Sequence, residues 1–280
     1  MKSVIIKPKN EILKKYIQYF LFFKKTDNHI LHYTTFPNNN LCLAIYKQNE
    51  VSYVNNLKTN NCIISKGNNL FPCRFYGFHK MPFNVQVDTA LDQICIVFYP
   101  SAIKAFTFID FNDLMNPALT LKDIFTYKHT FSFEQVFEQE NLFARAEQLE
   151  HILFKNLRDD IPDKLKEALY IISAKKSAEN LNIESLSKQL KISDTTLFRL
   201  FKNHLGQNPK SYLQTIRFRN VLHQVANPIN SLTEIAYQNQ YYDQAHFIKD
   251  FKTFSGYAPK QLAHKISVQQ NDLTWIYNKN

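Results

Sequence analysis

Between Leu31 and Tyr99 the apolar residues come in short bursts, LHYTTF, LCLAIY, VSYV, CIIS, RFYGF, FNVQV and QICIVFY, cut by the polar breaks PNNN, KTNN, KGNN and HKMP. Runs of this length, rich in β-branched and aromatic side chains, predict antiparallel strands closed into a sandwich or a small cupin-like barrel. Ahead of them Ile12, Leu13, Tyr16, Ile17 and Phe20 stand at helical spacing and predict a short amphipathic helix or lead-in segment. From Ser101 the helical period returns, and Val136, Phe137, Phe143, Ala146, Leu149, Ile152, Leu153 and Leu157 fall on one face. The segment LRDDIPDK, charged and holding Pro162, marks a boundary between a β-rich unit, residues 1–158, and a second unit, residues 159–280. The second unit reads as helix throughout, starting with Leu165, Ala168, Leu169 and Ile172 on one side of a helix that opens near Pro162. The fold class predicted is α+β, an antiparallel β-domain with helices followed by an all-α domain.

The all-α unit contains a duplication. RLFKNHLGQNPKSYL matches KDFKTFSGYAPKQLA at a shift of 50, pairing Phe201 with Phe251, Lys202 with Lys252, Gly206 with Gly256, Pro209 with Pro259 and Lys210 with Lys260. Upstream, LSKQLKI from Leu186 matches IAYQNQY from Ile235 at a shift of 49, so the second copy has gained one residue in between. Two helices joined by a turn that tolerates one extra residue form a helix-turn-helix. In the first copy Asn182 caps a helix that turns Leu186 and Leu190 inward, and Ser193 caps a second with Leu197, Leu200 and Phe201 inward. Gly206 stops that helix in the left-handed conformation and Pro209 opens the next. The second copy repeats this with Ser231, Ile235, Ala236, Phe247, Phe251, Gly256 and Pro259, and two of the chain's four glycines fall at the matched stops. Between the copies, Phe218, Val221, Leu222 and Val225 predict one continuous helix of about 17 residues, about 25 Å long, that holds the units apart.

Charge follows the same division. Residues 1–160 carry a net +3 and residues 161–280 a net +7 of the total +10. A basic excess on the duplicated unit suits a polyanion, and nucleic acid is the natural one. The four cysteines, Cys42, Cys62, Cys73 and Cys95, lie among apolar neighbours without a CxxC pair, which favours buried reduced thiols over a metal site or disulfides. No stretch of about 18 apolar residues occurs and the first 20 residues lack a cleavable leader pattern, so the protein is expected in the cytoplasm with no membrane partner.

With its two copies in this order and spacing, the segment from Pro162 to His264 resembles the AraC/XylS family of bacterial transcription regulators. In the second copy that family shows IA, three residues, GF, a polar stretch, then F, Arg or Lys, FK, G and P; here the sequence is IAYQNQYYDQAHFIKDFKTFSGYAP. Gln240 and Lys191 stand where the family has glycine, and Tyr241 where it has Phe. The resemblance implies double-stranded DNA as partner, contact with RNA polymerase, a role as activator, and an N-terminal unit that senses a small-molecule effector or forms a homodimer.

The inward residues of each second helix leave a face for DNA. On the first, Asp194, Thr195, Phe198, Arg199 and Lys202 point outward; Arg199 suits guanine, and Thr195 and Phe198 suit thymine methyls. The alternative for Phe198 is packing against the helix that begins near Pro162. On the second, Gln244, Ala245, Ile248 and Lys249 point outward, with Gln244 suited to adenine. Lys202, Lys210, Arg217, Arg219, Lys252 and Lys260 are the candidate phosphate contacts.

The β-unit is chemically quiet: no Ser/His/Asp or Cys/His arrangement and no phosphate loop stands out, and His29, His32 and His79 lack the spacing of a cupin metal site. No metal, cofactor or enzymatic activity is expected. The competing reading makes this unit an enzyme, of a DNA-repair kind, fused to the DNA-binding module, and it requires an activated, exposed cysteine. The aromatics Phe36, Tyr46, Tyr53, Phe75, Phe78, Phe98 and Tyr99 either enclose an apolar ligand or fill a core.

Overall fold

The computed structural model describes all residues except 1, 56–59, 126–132, 159, 175–180, 228–229, 267, 271–272 and 279–280. Its N-terminal half stacks two sheets. The first has the order β1 (Lys2–Ile6), β2 (Ile17–Lys25), β9 (Leu91–Phe98), β4 (Leu41–Tyr46), β7 (Cys73–Tyr76). The second contains β3 (Leu31–Thr35), β8 (Phe83–Val87), β6 (Asn60–Lys66) and β5 (Asn49–Asn55) in that order. Neighbouring strands are antiparallel except β6 and β8, which run parallel.

The first sheet is covered on both faces, which is why β2 and β9 read as unbroken apolar runs. Tyr19, Leu21, Phe23, Tyr46, Cys95 and Val97 face the second sheet. Phe20, Phe22, Leu43, Ile45, Ile94, Ile96 and Phe98 face the helices α1 (Phe111–Leu114), α2 (Leu121–Ile124), α3 (Phe133–Glu138) and α4 (Leu142–Lys155). The Arg145 guanidinium clamps α4 to the start of β9, donating to both oxygens of Asp92 at 2.6 and 2.9 Å and to the carbonyls of Gln139 and Phe137. At the other end of the helix, Glu150 accepts the backbone N–H groups of Lys9 and Asn10 at 2.8 and 2.7 Å.

The expected helix over the first 20 residues is a single 3₁₀ turn, Leu13–Lys15, between β1 and β2. Ile17 to Phe23 is apolar at nearly every position because both faces of β2 are buried, so helical spacing is matched there by default. On α4 the predicted face is buried at Ala146, Leu149, Ile152 and Leu153, but Phe143 is exposed.

The helical half consists of α5 (Asp163–Ala174), α6 (Ile183–Leu190), α7 (Asp194–Leu205), α8 (Pro209–Ala226), α9 (Leu232–Gln238), α10 (Gln244–Ser255) and α11 (Pro259–Ala263). Two helix pairs, α6/α7 and α9/α10, are joined by α8, as the duplication predicts. The helical run then ends, and β10 (Val268–Gln270) and β11 (Leu273–Asn278) follow, with β11 pairing antiparallel to β3 of the second sheet. This corrects the all-helical reading of the residues beyond His264. LTWIYN is a lone six-residue run without a recognisable partner, and its pairing is set by tertiary contact with a strand more than 200 residues away.

The core is continuous across residues 157–164. Leu165, Ala168, Ile172, Leu186, Leu190, Leu197 and Phe201 belong to the same apolar cluster as the helix-facing side of the first sheet. A second cluster joins Phe36, in the loop after β3, to Phe218, Val221, Leu222, Ile235, Phe247 and Phe251. Gly206, at φ +68°, sits where any Cβ would lie 2.1 Å from the Phe111 ring, whereas at Gly256, φ +74°, a Cβ would meet only Pro82 at 3.2 Å. Gly206→Ala is therefore expected to cost about 3 kcal/mol and Gly256→Ala about 1 kcal/mol, read from urea unfolding; equal costs would contradict the close docking of α7 on α1.

Candidate nucleic-acid interface

Each helix pair is closed by local hydrogen bonds that the sequence dictates. Asn182 accepts the Ser185 N–H at 2.8 Å, and the Ser185 hydroxyl accepts the Asn182 N–H at 3.1 Å. In the second pair Ser231 and Glu234 exchange the same bonds at 3.2 and 2.7 Å, a capping box that holds the Glu234 carboxyl below its usual range. The second helices are capped by Ser193, accepting the Thr196 N–H at 3.1 Å, and by Asp243, accepting the His246 N–H at 2.7 Å.

The turns between the helices are equivalent. Lys191 and Gln240 are both left-handed, at φ +55° and +58°. The following amides reach back five residues, Ile192 N–H to the Ser187 carbonyl at 3.1 Å and Tyr241 N–H to the Ala236 carbonyl at 3.0 Å. The tight turn is thus kept in both copies although neither has glycine at this position. The caps, Asn182 and Ser231, are 49 apart and the next caps, Ser193 and Asp243, are 50 apart, which assigns the extra residue of the second copy to Tyr242. Its side chain is 86% exposed. The sequence reading missed this residue, although the change of shift from 49 to 50 was the signal for it.

Behind the turns, Leu197, Phe201 and Leu205 of α7 and Phe247, Phe251 and Phe254 of α10 are buried. In front, Thr195, Phe198, Arg199 and Lys202 are exposed on α7, and Gln244, Ala245, Lys249 and Lys252 on α10, with Ile248 half-buried. Thr195, Phe198 and Arg199 share one helix face by their spacing. Phe198 is 48% exposed, so its apolar ring lies at the surface among polar neighbours. The Thr233 hydroxyl donates to Gln244 Oε1 at 3.1 Å, fixing that amide at the start of α10.

The candidate phosphate contacts are placed differently from one another. Lys210, Lys252 and Lys260 are exposed, and Lys202 reaches the Gly206 carbonyl at 3.4 Å. The Arg217 guanidinium lies 5.3 Å over the Tyr241 ring and is half-buried. Arg219 lines a cavity of about 160 Å³ between the two sheets and α8. Of the aromatics expected either to enclose a ligand or to fill a core, Phe36 and Tyr46 line that cavity, Phe75 and Phe98 pack on the helices, Phe78 lines a neighbouring pocket, and Tyr53 and Tyr99 are exposed. All four cysteines are free; burial pushes Cys62 and Cys73 up to about 11, and Cys95 is also raised, by its hydrogen bond with Cys42 and by burial. Among the described residues no group of His, Cys, Asp and Glu has metal-binding geometry, and no helix is long and apolar enough to cross a membrane.

Residues 186–265 match a family described as "Helix-turn-helix domain", and residues 5–120 match a "Domain of unknown function (DUF6597)". The HTH-type transcriptional activators RhaS of Salmonella arizonae and of Salmonella newport are each 32% identical over 85 residues, 30% of this chain and 31% of theirs. The chain thus spans about a third of the length of these relatives. Among solved structures, the C-terminal domain of AraT, a response regulator from Geobacillus stearothermophilus, is similar at 24% identity and a TM-score of 0.37 over 40% of this chain and 93% of that one. ToxT from Vibrio cholerae with an unsaturated fatty acid bound is similar at 12% identity and a TM-score of 0.44 over 90% of this chain and 98% of that one.

A left-handed non-glycine residue is strained, and both turns carry one. Lys191→Gly and Gln240→Gly are each expected to raise stability by about 0.5–1 kcal/mol, and nearly additively, since they sit in separate helix pairs. Thermal unfolding of the two single variants and the double variant measures this; a loss of stability in either would contradict the turn geometry.

Proposed function

We propose that residues 186–265, which match a helix-turn-helix domain, form a double helix-turn-helix of the AraC/XylS type and that the chain is a sequence-specific, DNA-binding transcription regulator. In this reading residues 159–280 bind double-stranded DNA and residues 1–158 sense an effector or mediate dimerisation. The observation that carries it is the pair of exposed faces, Thr195/Phe198/Arg199 on α7 and Gln244/Ala245/Lys249 on α10, presented by two matched frames on one connecting helix. Arg199 reads guanine and Gln244 reads adenine, with Thr195 and Phe198 against thymine methyls and Ile248 and Lys249 completing the second contact. Lys202, Lys210, Lys252 and Lys260 neutralise phosphates. Arg217 and Arg219 are left to structural roles, one against Tyr241 and the other at the cavity.

Transcription activation, contact with RNA polymerase and a cytoplasmic location come with this reading, in line with the relatives named as activators. The cavity between the sheets is the natural place for an effector. The alternative, an alkyl-accepting enzyme domain, needs a thiol that is easily ionised. Burial acts the other way on Cys62 and Cys73, holding both near 11.

Selection of binding sites by the full chain from random duplex DNA tests the proposal. A site with two elements one helical turn apart, about 34 Å, is expected. Arg199→Ala should lose about 1–3 kcal/mol on that site and relax preference at a few base pairs. Lys210→Ala should weaken all sequences alike and lower the salt slope by about 1. Steep salt dependence without any enriched site would sink the reading.

A further inference from the structure

Successive residues of a strand point to opposite faces, and in β11 those faces belong to two different cores. Trp275 is 5% exposed and lies in the core between the two sheets, whereas Ile276 is 3% exposed and lies in the core of the second helix-turn-helix pair. The indole of Trp275 is held in an aromatic slot. Its ring is stacked 5.0 Å from Phe23 at 23° and 5.1 Å from Tyr33 at 17°. Phe23 belongs to the first sheet and Tyr33 to the second, and all three rings line the cavity of about 160 Å³.

That cavity is apolar for the most part, yet two buried polar atoms on its wall have no hydrogen-bond partner among the described residues, Gln93 Oε1 and His79 Nε2. Gln93 is 4% exposed. His79 Nδ1 lies 3.1 Å from the Gly77 carbonyl, which can only accept, so Nδ1 carries the proton and Nε2 is an acceptor. Burial pushes this imidazole down and keeps it neutral. Buried acceptors without donors are costly, and a ligand bearing an N–H or O–H group can satisfy one of them. Arg219, the cation on the wall, is already engaged within the protein.

We propose that the cavity binds an uncharged, planar aromatic molecule with an N–H or O–H donor, of the size of indole, and that this ligand displaces Trp275 from its slot. The chain's own indole is then the resting occupant, supplied by a strap that leads directly to the second helix-turn-helix pair. Since Trp275 and Ile276 are adjacent in one strand, withdrawal of the indole pulls Ile276 from among Phe218, Phe247 and Phe251. The ligand thereby changes what holds α9 and α10 against the β-domain. The regulatory consequence rests on the DNA-binding reading; the occupancy of the slot does not.

The chain has a single tryptophan, so incorporation of 5-fluorotryptophan into the full-length protein gives one ¹⁹F resonance that reports Trp275 alone. Indole is expected to move that resonance, saturably, to the position it takes in urea, while decanoate and cyclohexanol leave it in place. A resonance that stays put at high indole, that moves elsewhere than the urea position, or that responds to decanoate instead overturns the proposal. On duplex DNA, indole and Trp275→Leu should each change affinity about fivefold or more, in the same direction, and indole should add nothing to the variant. Independent effects of the two would overturn the coupling. A chain that binds no DNA would remove the regulator reading and leave the fluorine experiment to decide on the slot.

Discussion

A single helix completes two hydrophobic cores, and the arrangement of the whole helical half depends on it. The first part of α8 gives Tyr212 to the core of α6/α7, where it meets Phe201 edge-on at 5.3 Å. The later part gives Phe218, Val221, Leu222 and Val225 to the core of α9/α10, with Phe218 stacked on Phe254 at 5.0 Å. An uninterrupted 18-residue helix spans about 27 Å and fixes rotation as well as distance. The number of residues between Tyr212 and Phe218 therefore sets the angle between the two exposed faces. Pro209 at its first turn and the Asn208 cap anchor the start of that ruler.

The β-domain grips this ruler from the side. Asn39 donates to the Tyr212 carbonyl at 3.1 Å and accepts from Gln207 at 3.0 Å, both in buried surroundings, while Phe111 closes on Gly206 and Phe36 enters the second core. Both helix pairs are thus attached to one scaffold through short-range, well-packed contacts, and the exposed faces of α7 and α10 lie away from them. Such docking leaves each face open while constraining how the pairs move together, so that a change in the β-domain has a physical route to the helical half.

The features that could be read in the sequence are those with local causes. Asn182, Ser193 and Ser231 are caps because their side chains bond to amides two or three residues on, and Gly206 and Gly256 are stops because of their own backbone conformation. Residues Leu197, Phe201, Phe247 and Phe251 were visible through helical period alone. The lost features have distant causes. β2 looked helical because its second face is covered by helices far along the chain, and β11 extends beyond its three-residue pairing with β10 because β3 offers it an edge. The placement of Arg219 beside the cavity depends on the docking of α8, which no local pattern encodes.

The pairing of β11 with β3 also has a consequence for the order in which the molecule is assembled. Strand β3 emerges among the first 35 residues, but the strand that covers its outer edge follows both helix pairs. Until the ribosome has passed Leu273, that edge has hydrogen-bonding groups and the Phe23–Tyr33 slot without their partner, a surface of the kind that recruits foreign strands. This edge of β3 is covered only once both helix pairs have been made, so a nascent chain that stalls or breaks within them is left with an adhesive edge.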